Sequence, residues 1–263
     1  MVLLEFFQIH SLIGIGIFVI MSVLWVVSLL LKDSSIVDIF WGAGFVLVVW
    51  AVFIMVGSGG AREWLMAILV SVWGIRLTVH VGARNIGRGE DFRYTQMREK
   101  RKSQWWWQSY FIVFIFQGFL MWVIASPLTA VQLPVFDDSL RVLDYFGVLV
   151  WAMGFFFEAV GDYQLARFKA VPENKGKLLK TGLWRFTRHP NYFGDAAQWW
   201  GFYLIALSAG AWWTIVSPIV MTYLLVSVSG VALLEKSLKR DKEDYEDYAE
   251  NTHAFLPWFP KNE

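Results

Sequence analysis

The sequence predicts an all-α integral membrane protein: a bundle of seven transmembrane helices, with the N-terminus outside and the C-terminus in the cytoplasm. Three observations predict it. Of 263 residues, 57% are hydrophobic and only 17% charged, against roughly 45–50% and about 25% in soluble domains. Seven stretches are apolar over the roughly 20 residues that a helix needs to cross about 30 Å of hydrocarbon. The Lys and Arg fall on one side of the resulting topology, as the positive-inside rule requires. Sixteen Trp and 22 Phe exceed what a soluble core of this size uses, which excludes an ordinary cytosolic enzyme, a disordered chain and a coiled coil. With no Cys there is no disulfide framework, thiolate metal site or cysteine nucleophile.

The elements follow in order. Span 9–31 is flanked by Glu5 with no Lys or Arg and has no small-x-small cleavage pattern, so it reads as a true span and not as a signal peptide. Span 36–56 carries Asp38 just inside its start, and span 64–82 carries Arg76 and His80 one turn apart on a shared face. A charged loop, 83–104, precedes span 105–131, whose opening Trp105-Trp106-Trp107 has the composition of an interfacial belt. Span 142–161 ends at Glu158 and Asp162, and a second charged loop covers 162–191. Span 192–213 opens with Asp195 and Gln198 at i and i+3, and span 215–234 closes on Glu235 before a tail, 235–263. The inner segments 32–35, 83–104, 162–191 and 235–263 then hold 20 of the 23 basic residues. No internal repeat is visible, so an inverted-repeat transporter has little support, and the chain is a single membrane domain.

Ionisable groups inside spans are expensive and mark functional hypotheses. Singly, each has a structural alternative as helix cap, snorkelling group or inter-helix glue. Together they suggest a polar cavity opening toward the cytoplasm. Arg84, Arg88, Arg93, Arg167, Lys169, Arg185 and Arg188 would suit a phosphate-bearing ligand or, equally, anionic headgroups. The glycine fingerprint of soluble dinucleotide folds is absent, as is a Walker sequence. No metal-ligand set is expected, and nothing points to nucleic acid.

The most specific stretch runs from Gly182 to Asp195: Gly-Leu-Trp-Arg-Phe-Thr-Arg-His-Pro-Asn-Tyr-Phe-Gly-Asp. Pro190 keeps His189 out of helical geometry and is suited to start the next helix. This run resembles the C-terminal signature of the membrane steroid 5α-reductase family in its bacterial branch. It is also similar to segments of sterol C14-reductases and isoprenylcysteine carboxyl methyltransferases. The resemblance covers about 140–260 well and 36–100 more weakly, with a tail reading Glu235-Lys236 and Asp244-Tyr245-Glu246-Asp247-Tyr248.

The resemblance implies an enzyme of the bacterial inner membrane that binds NADPH from the cytosolic side. Its reaction would reduce a carbon–carbon double bond conjugated to a ketone, as in a 3-oxo-Δ4 steroid. The implied cofactor contacts are Asp162, Lys169, Arg188, His189, Asn191, Tyr192, Asp195, Glu235 and Tyr248, with Arg84 and Arg93 on the loop expected to cover the nucleotide. The family's Glu–Tyr pair for the ketone has Asp38 as its apparent counterpart, while Val81 stands where the Tyr is expected. Tyr94 and His80 are the replacement donors, so the catalytic candidates are Asp38, Tyr94 and His80. The substrate would be an apolar small molecule entering from the bilayer, with no obligate protein partner. The alternative on the same architecture is an S-adenosylmethionine-dependent methyltransferase of a lipid-like substrate.

Overall fold

The computed structural model describes residues 2–134, 139–228, 230–231, 234–235, 238–239 and 244–260. Among them every regular element is helical. Five helical runs are long and apolar enough to cross a membrane: Val2–Leu31, Ile36–Val56, Ala61–Asn85, Phe92–Ile124 and Val142–Ala170. The chain is a membrane protein with transmembrane helices. The other two expected spans fall on a 20-residue helix, Pro190–Ala209, and on the shorter apolar stretch Trp212–Val228. Of the expected span 215–234, residues 229 and 232–233 lie outside the described residues, as does Lys236 of the tail pattern.

The chain divides into two compact units, one of Met1–Leu140 with Ala206–Thr214, the other of Arg141–Ile205 with Ile215–Glu263. In the first unit, α1 (Val2–Leu31) buries Phe6, His10, Ile13, Ile17 and Met21, a stripe at the three-to-four spacing of one helix face. Its other faces expose Leu4, Ile15, Val19 and Leu30, the surface that lipid covers. Helices α2 (Ile36–Val56) and α3 (Ala61–Asn85) cross at Gly42 and Gly74. A Cβ on Gly74 would sit 2.6 Å from the Gly42 carbonyl oxygen, and a Cβ on Gly42 would strike the Gly74 oxygen. Small residues of this kind let membrane helices approach backbone to backbone.

The sequence reading takes 83–104 as a loop, yet Phe92–Arg101 is a helix, α4. Asp91 caps it, its carboxylate accepting from Arg93 N at 3.0 Å, and Arg98, Lys100 and Arg101 occupy its last turn, where the helix dipole favours cations. The run continues through α5 (Trp105–Ser109), a π-helical turn (Tyr110–Ile115) and α6 (Phe116–Ile124) to the short α7 (Ser126–Val131). Trp105 is buried beneath Arg98, whereas Trp106 and Trp107 are exposed.

The second unit is built on α8 (Val142–Ala170) and α9 (Pro190–Ala209). Gly147, Gly154 and Gly161 recur every seven residues on α8, and Gly194 and Gly201 do so on α9. The register is antiparallel: Gly147 faces Gly201, Gly154 faces Gly194, and Gly161 faces Pro190. A Cβ on Gly154 would lie 2.5 Å from the Gly194 oxygen and 2.8 Å from Gln198 N. This seam sets which polar groups of the two helices meet. The unit also holds α10 (Val216–Tyr223) and α11 (Tyr245–Asn251).

Candidate functional site

In the first unit the turn before α2 is tied to the segment before α4. Ser34 N donates to Glu90 Oε1 at 2.7 Å, and Asp91 N donates to Ser35 Oγ at 3.0 Å. Arg98 clasps the same Glu90 with Nε at 2.8 Å and Nη2 at 2.7 Å. Burial pushes the Glu90 and Asp91 carboxyls up, but the hydrogen bonds they accept outweigh it and leave both below their ordinary values.

These ties bring the first turn of α4 onto the first turn of α2. Tyr94 donates its hydroxyl to Asp38 Oδ1 at 2.8 Å, and Arg93 Nη2 reaches Asp38 Oδ2 at 2.7 Å. Gln117, from α6, donates to the Tyr94 oxygen at 3.0 Å and lies 3.5 Å from Asp38 Oδ1. Tyr94 is 4% exposed, and the Arg93 guanidinium lies 5.4 Å from its ring centroid. A buried phenol thus gives its one hydrogen to a carboxylate and accepts a hydrogen from an amide. Donation to another acceptor oxygen requires that hydrogen to turn from Asp38.

Three of the candidates named from sequence, Asp38, Arg93 and Tyr94, therefore form one cluster. His80 lies elsewhere on α3. It lines a cavity of about 580 Å³ along α3 with Arg76, Ser71 and Val79. Arg84, at the end of α3, donates to Asn85 Oδ1 at 3.0 Å. Gln117 escapes the sequence reading, which weighs ionisable groups. Its signal is a lone amide in the apolar run 111–124, directly after a π turn, a feature frequent at functional sites.

In the second unit the glycine seam aligns two polar pairs. Asn191 donates to Asp162 Oδ1 at 2.9 Å, and Gln198 donates to Glu158 Oε2 at 2.6 Å. Asp162, Glu158, Asp195 and Gln198 are all buried. Pro190 starts α9 as its chemistry predicts, and His189 stacks on Tyr192 at 5.7 Å with the planes 15° apart. Lys169 lies exposed near the end of α8. A cavity of about 340 Å³ is lined by Tyr163, Gln164, Arg167 and Thr181.

Arg188 turns away from the start of α9. Its Nε and Nη2 donate to Glu235 Oε1 at 2.9 and 2.5 Å, and Nη1 donates to the carbonyls of Ala249, at 2.9 Å, and Thr252. At least four of its five N–H groups are engaged within the protein. Its backbone N also donates to the His253 carbonyl at 2.9 Å, so Arg188 straps the C-terminal segment down. His189 Nε2 lies 3.5 Å from Glu235 Oε1. The bond from His189, opposed by burial and reinforced by Arg188, holds the Glu235 carboxyl at about 2. Tyr248 donates to the Trp184 carbonyl, and Trp184 Nε1 donates to the Gly161 carbonyl at 3.1 Å. Burial pushes the Tyr248 phenol up, and the Tyr245 phenol to about 12.

A family model described as protein of unknown function (DUF1295) matches residues 24–252, a range that includes both clusters. An uncharacterized protein of Schizosaccharomyces pombe is 29% identical over 222 residues, which cover 73% of this chain and 63% of the yeast protein. The chain thus spans less than two thirds of that relative. No solved structure matches.

Proposed function

The chain belongs to the DUF1295 family, and we propose that it is a membrane-embedded, NADPH-dependent reductase of a carbon–carbon double bond conjugated to a ketone. The substrate class is a 3-oxo-Δ4 steroid or a similar apolar enone that enters from the bilayer. The observation that carries this reading is the Asp38–Tyr94 hydrogen bond at 2.8 Å. It joins two residues, 56 positions apart in sequence, that were singled out for a role at the carbonyl oxygen. The association of the family with steroid 5α-reductase-like proteins supports it too.

The donor set of the second unit is of the right chemistry for a dinucleotide. Lys169 is exposed and suits phosphate oxygens; Asn191 and Asp162, bonded to each other, and Asp195 are of the type that bonds ribose hydroxyls or a carboxamide; Tyr192, backed by the buried His189, has a ring that is partly exposed. Arg188 departs from the expected set, since its guanidinium holds Glu235 and the C-terminal carbonyls, and its role is positioning. When bound, NADPH supplies the hydride that adds to the β-carbon of the enone. The electron pair of the double bond then moves onto the carbonyl oxygen. Tyr94 is the proposed donor to this enolate oxygen: its hydroxyl hydrogen, given to Asp38 at rest, would turn to that oxygen while Gln117 keeps donating to the phenolic oxygen. Asp38 and Arg93 orient the phenol. A proton taken from solvent adds to the α-carbon of the enolate and completes the saturated ketone.

The positive-inside count supports seven spans, with 192–213 and 215–234 as the last two, an outside N-terminus and a cytoplasmic C-terminus. The proposed location is the bacterial inner membrane with the site toward the cytoplasm. One observation favours a second reading, an S-adenosylmethionine-dependent methyltransferase: Arg188, the cation at the centre of the motif, is engaged internally and not offered to phosphate. The test is turnover by the purified chain. A 3-oxo-Δ4 steroid with NADPH should gain the elements of H2 by mass, and methyl transfer from S-adenosylmethionine without reduction would overturn the reductase.

A further inference from the structure

We propose that residues 255–259 form an interfacial anchor, docking the C-terminal strap onto the headgroup–acyl boundary of the membrane. This holds whatever reaction the protein catalyses. Leu256, Trp258 and Phe259 are 66%, 68% and 71% exposed, a large apolar patch outside every apolar span. The patch is not a loose tail. Trp258 N donates to the Phe186 carbonyl at 3.0 Å, Thr187 Oγ1 donates to the Phe255 carbonyl at 2.9 Å, and the Phe259 ring meets Phe186 at 6.0 Å. A chain held this firmly presents its aromatic side chains outward because something apolar receives them.

Depth identifies the receiver. Phe255 meets Phe193 at 6.0 Å, and Phe193 meets Phe157 at 5.1 Å. Phe157 belongs to Val142–Ala170, one of the membrane-crossing helices. The strap therefore reaches the level where that helix passes from apolar sequence to Glu158 and Asp162, which is where a bilayer ends. Trp and Phe favour this zone, and Pro257 and Pro260 bring no backbone N–H to desolvate there. The preceding helix, α11, has the opposite character: Glu246, Asp247 and Glu250 are exposed and belong in water. The segment is thus acidic where it faces solvent and aromatic where it meets lipid.

The chain has no Cys, so one introduced cysteine carries one spin label. The full chain with Leu256→Cys, Phe259→Cys or Glu250→Cys is labelled with a nitroxide. Each is reconstituted into vesicles of phosphatidylcholine and phosphatidylglycerol, after its melting temperature is matched to the unsubstituted protein. Collision rates are then read with oxygen, which concentrates in acyl chains, and with a water-soluble nickel chelate. The oxygen-to-nickel ratio should be several-fold higher at positions 256 and 259 than at 250. Equal ratios at all three would overturn the anchor. So would labels at 256 and 259 shielded from both reagents, the signature of a second protein surface covering the patch.

Discussion

Replacing Arg188 with Met should destabilise the protein before any ligand is considered. The side chain is 9% exposed, and its loss takes from the Glu235 carboxylate and the carbonyls of Ala249 and Thr252 the N–H groups that Arg188 gives them, leaving Glu235 with His189. Removing one partner of a buried ion pair costs about 3–5 kcal/mol. Glu235 is 28% exposed on its side chain, so water recovers part of this and about 2–4 kcal/mol is expected. In a chain of this length one kcal/mol moves the melting temperature by roughly 2–4 °C, giving a drop of about 5–15 °C. The assay is thermal denaturation in detergent, followed by circular dichroism and by the monodisperse fraction. Arg188→Lys should fall between, because an ammonium cannot span a carboxylate and two carbonyls in the guanidinium's fork geometry. In a double-mutant cycle with Glu235→Gln the two losses should be less than additive. The reasoning is refuted if Arg188→Met melts with the unsubstituted protein in the absence of ligand and instead loses only its response to NADPH. Arg188 would then serve phosphate, not the strap.

Tyr94→Phe should lower reductase turnover by about 10²–10³-fold, the usual effect of removing one donor to a developing oxyanion. Gln117→Leu should lower it less, and steady-state kinetics of both variants would check the order. Gly154→Val should prevent close pairing of α8 and α9, because its side chain would meet Gly194 and Gln198. Overpacking of this kind costs about 1–3 kcal/mol or more, whereas Gly16→Ala, inside α1 and in open space, should not lower the melting temperature and should raise it by up to a few degrees, about 0.4–1 kcal/mol of helix preference. Glu235 makes stability depend on pH. Its folded value of about 2 lies below the ordinary 4.5, so the unfolded chain binds more protons between them. The contribution is full above about 4.5 and is lost as pH falls toward 2. A melting series over that window should flatten in Glu235→Gln relative to the unsubstituted protein.

The five long helices are legible because apolar length is a property of sequence alone, and α1, α2 and α3 lie close to where hydropathy puts them. Helix α4 is missed although Asp91 advertises its cap, since its residues are polar and hydropathy discards them. The α8–α9 seam is written in the seven-residue spacing of Gly147, Gly154 and Gly161, a pattern visible in the sequence once helices are assumed. At the candidate site, Asp38 comes from the rule that charge inside a span needs a reason, Arg93 from the basic set of the 83–104 loop, and Tyr94 from the tyrosine that the resemblance implies and Val81 does not supply. Gln117 does not trip that rule, because an amide is not ionisable and the π turn that aims it leaves no mark on composition. The destination of Arg188 is illegible for another reason. Its partners are a carboxylate 47 residues away and backbone carbonyls 61 and 64 residues away, and carbonyls carry no sequence identity.

A reductase of this kind must bind its dinucleotide, so the most direct measurement is ligand-induced stabilisation of the detergent-purified protein. NADPH, NADH and S-adenosylmethionine are each titrated while the melting temperature is followed, since a ligand that binds only the folded state raises it by mass action. NADPH should raise it with concentration, more than NADH, and Lys169→Gln should narrow that difference. Stabilisation by S-adenosylmethionine alone, or by none of the three in a folded sample, would contradict the reductase.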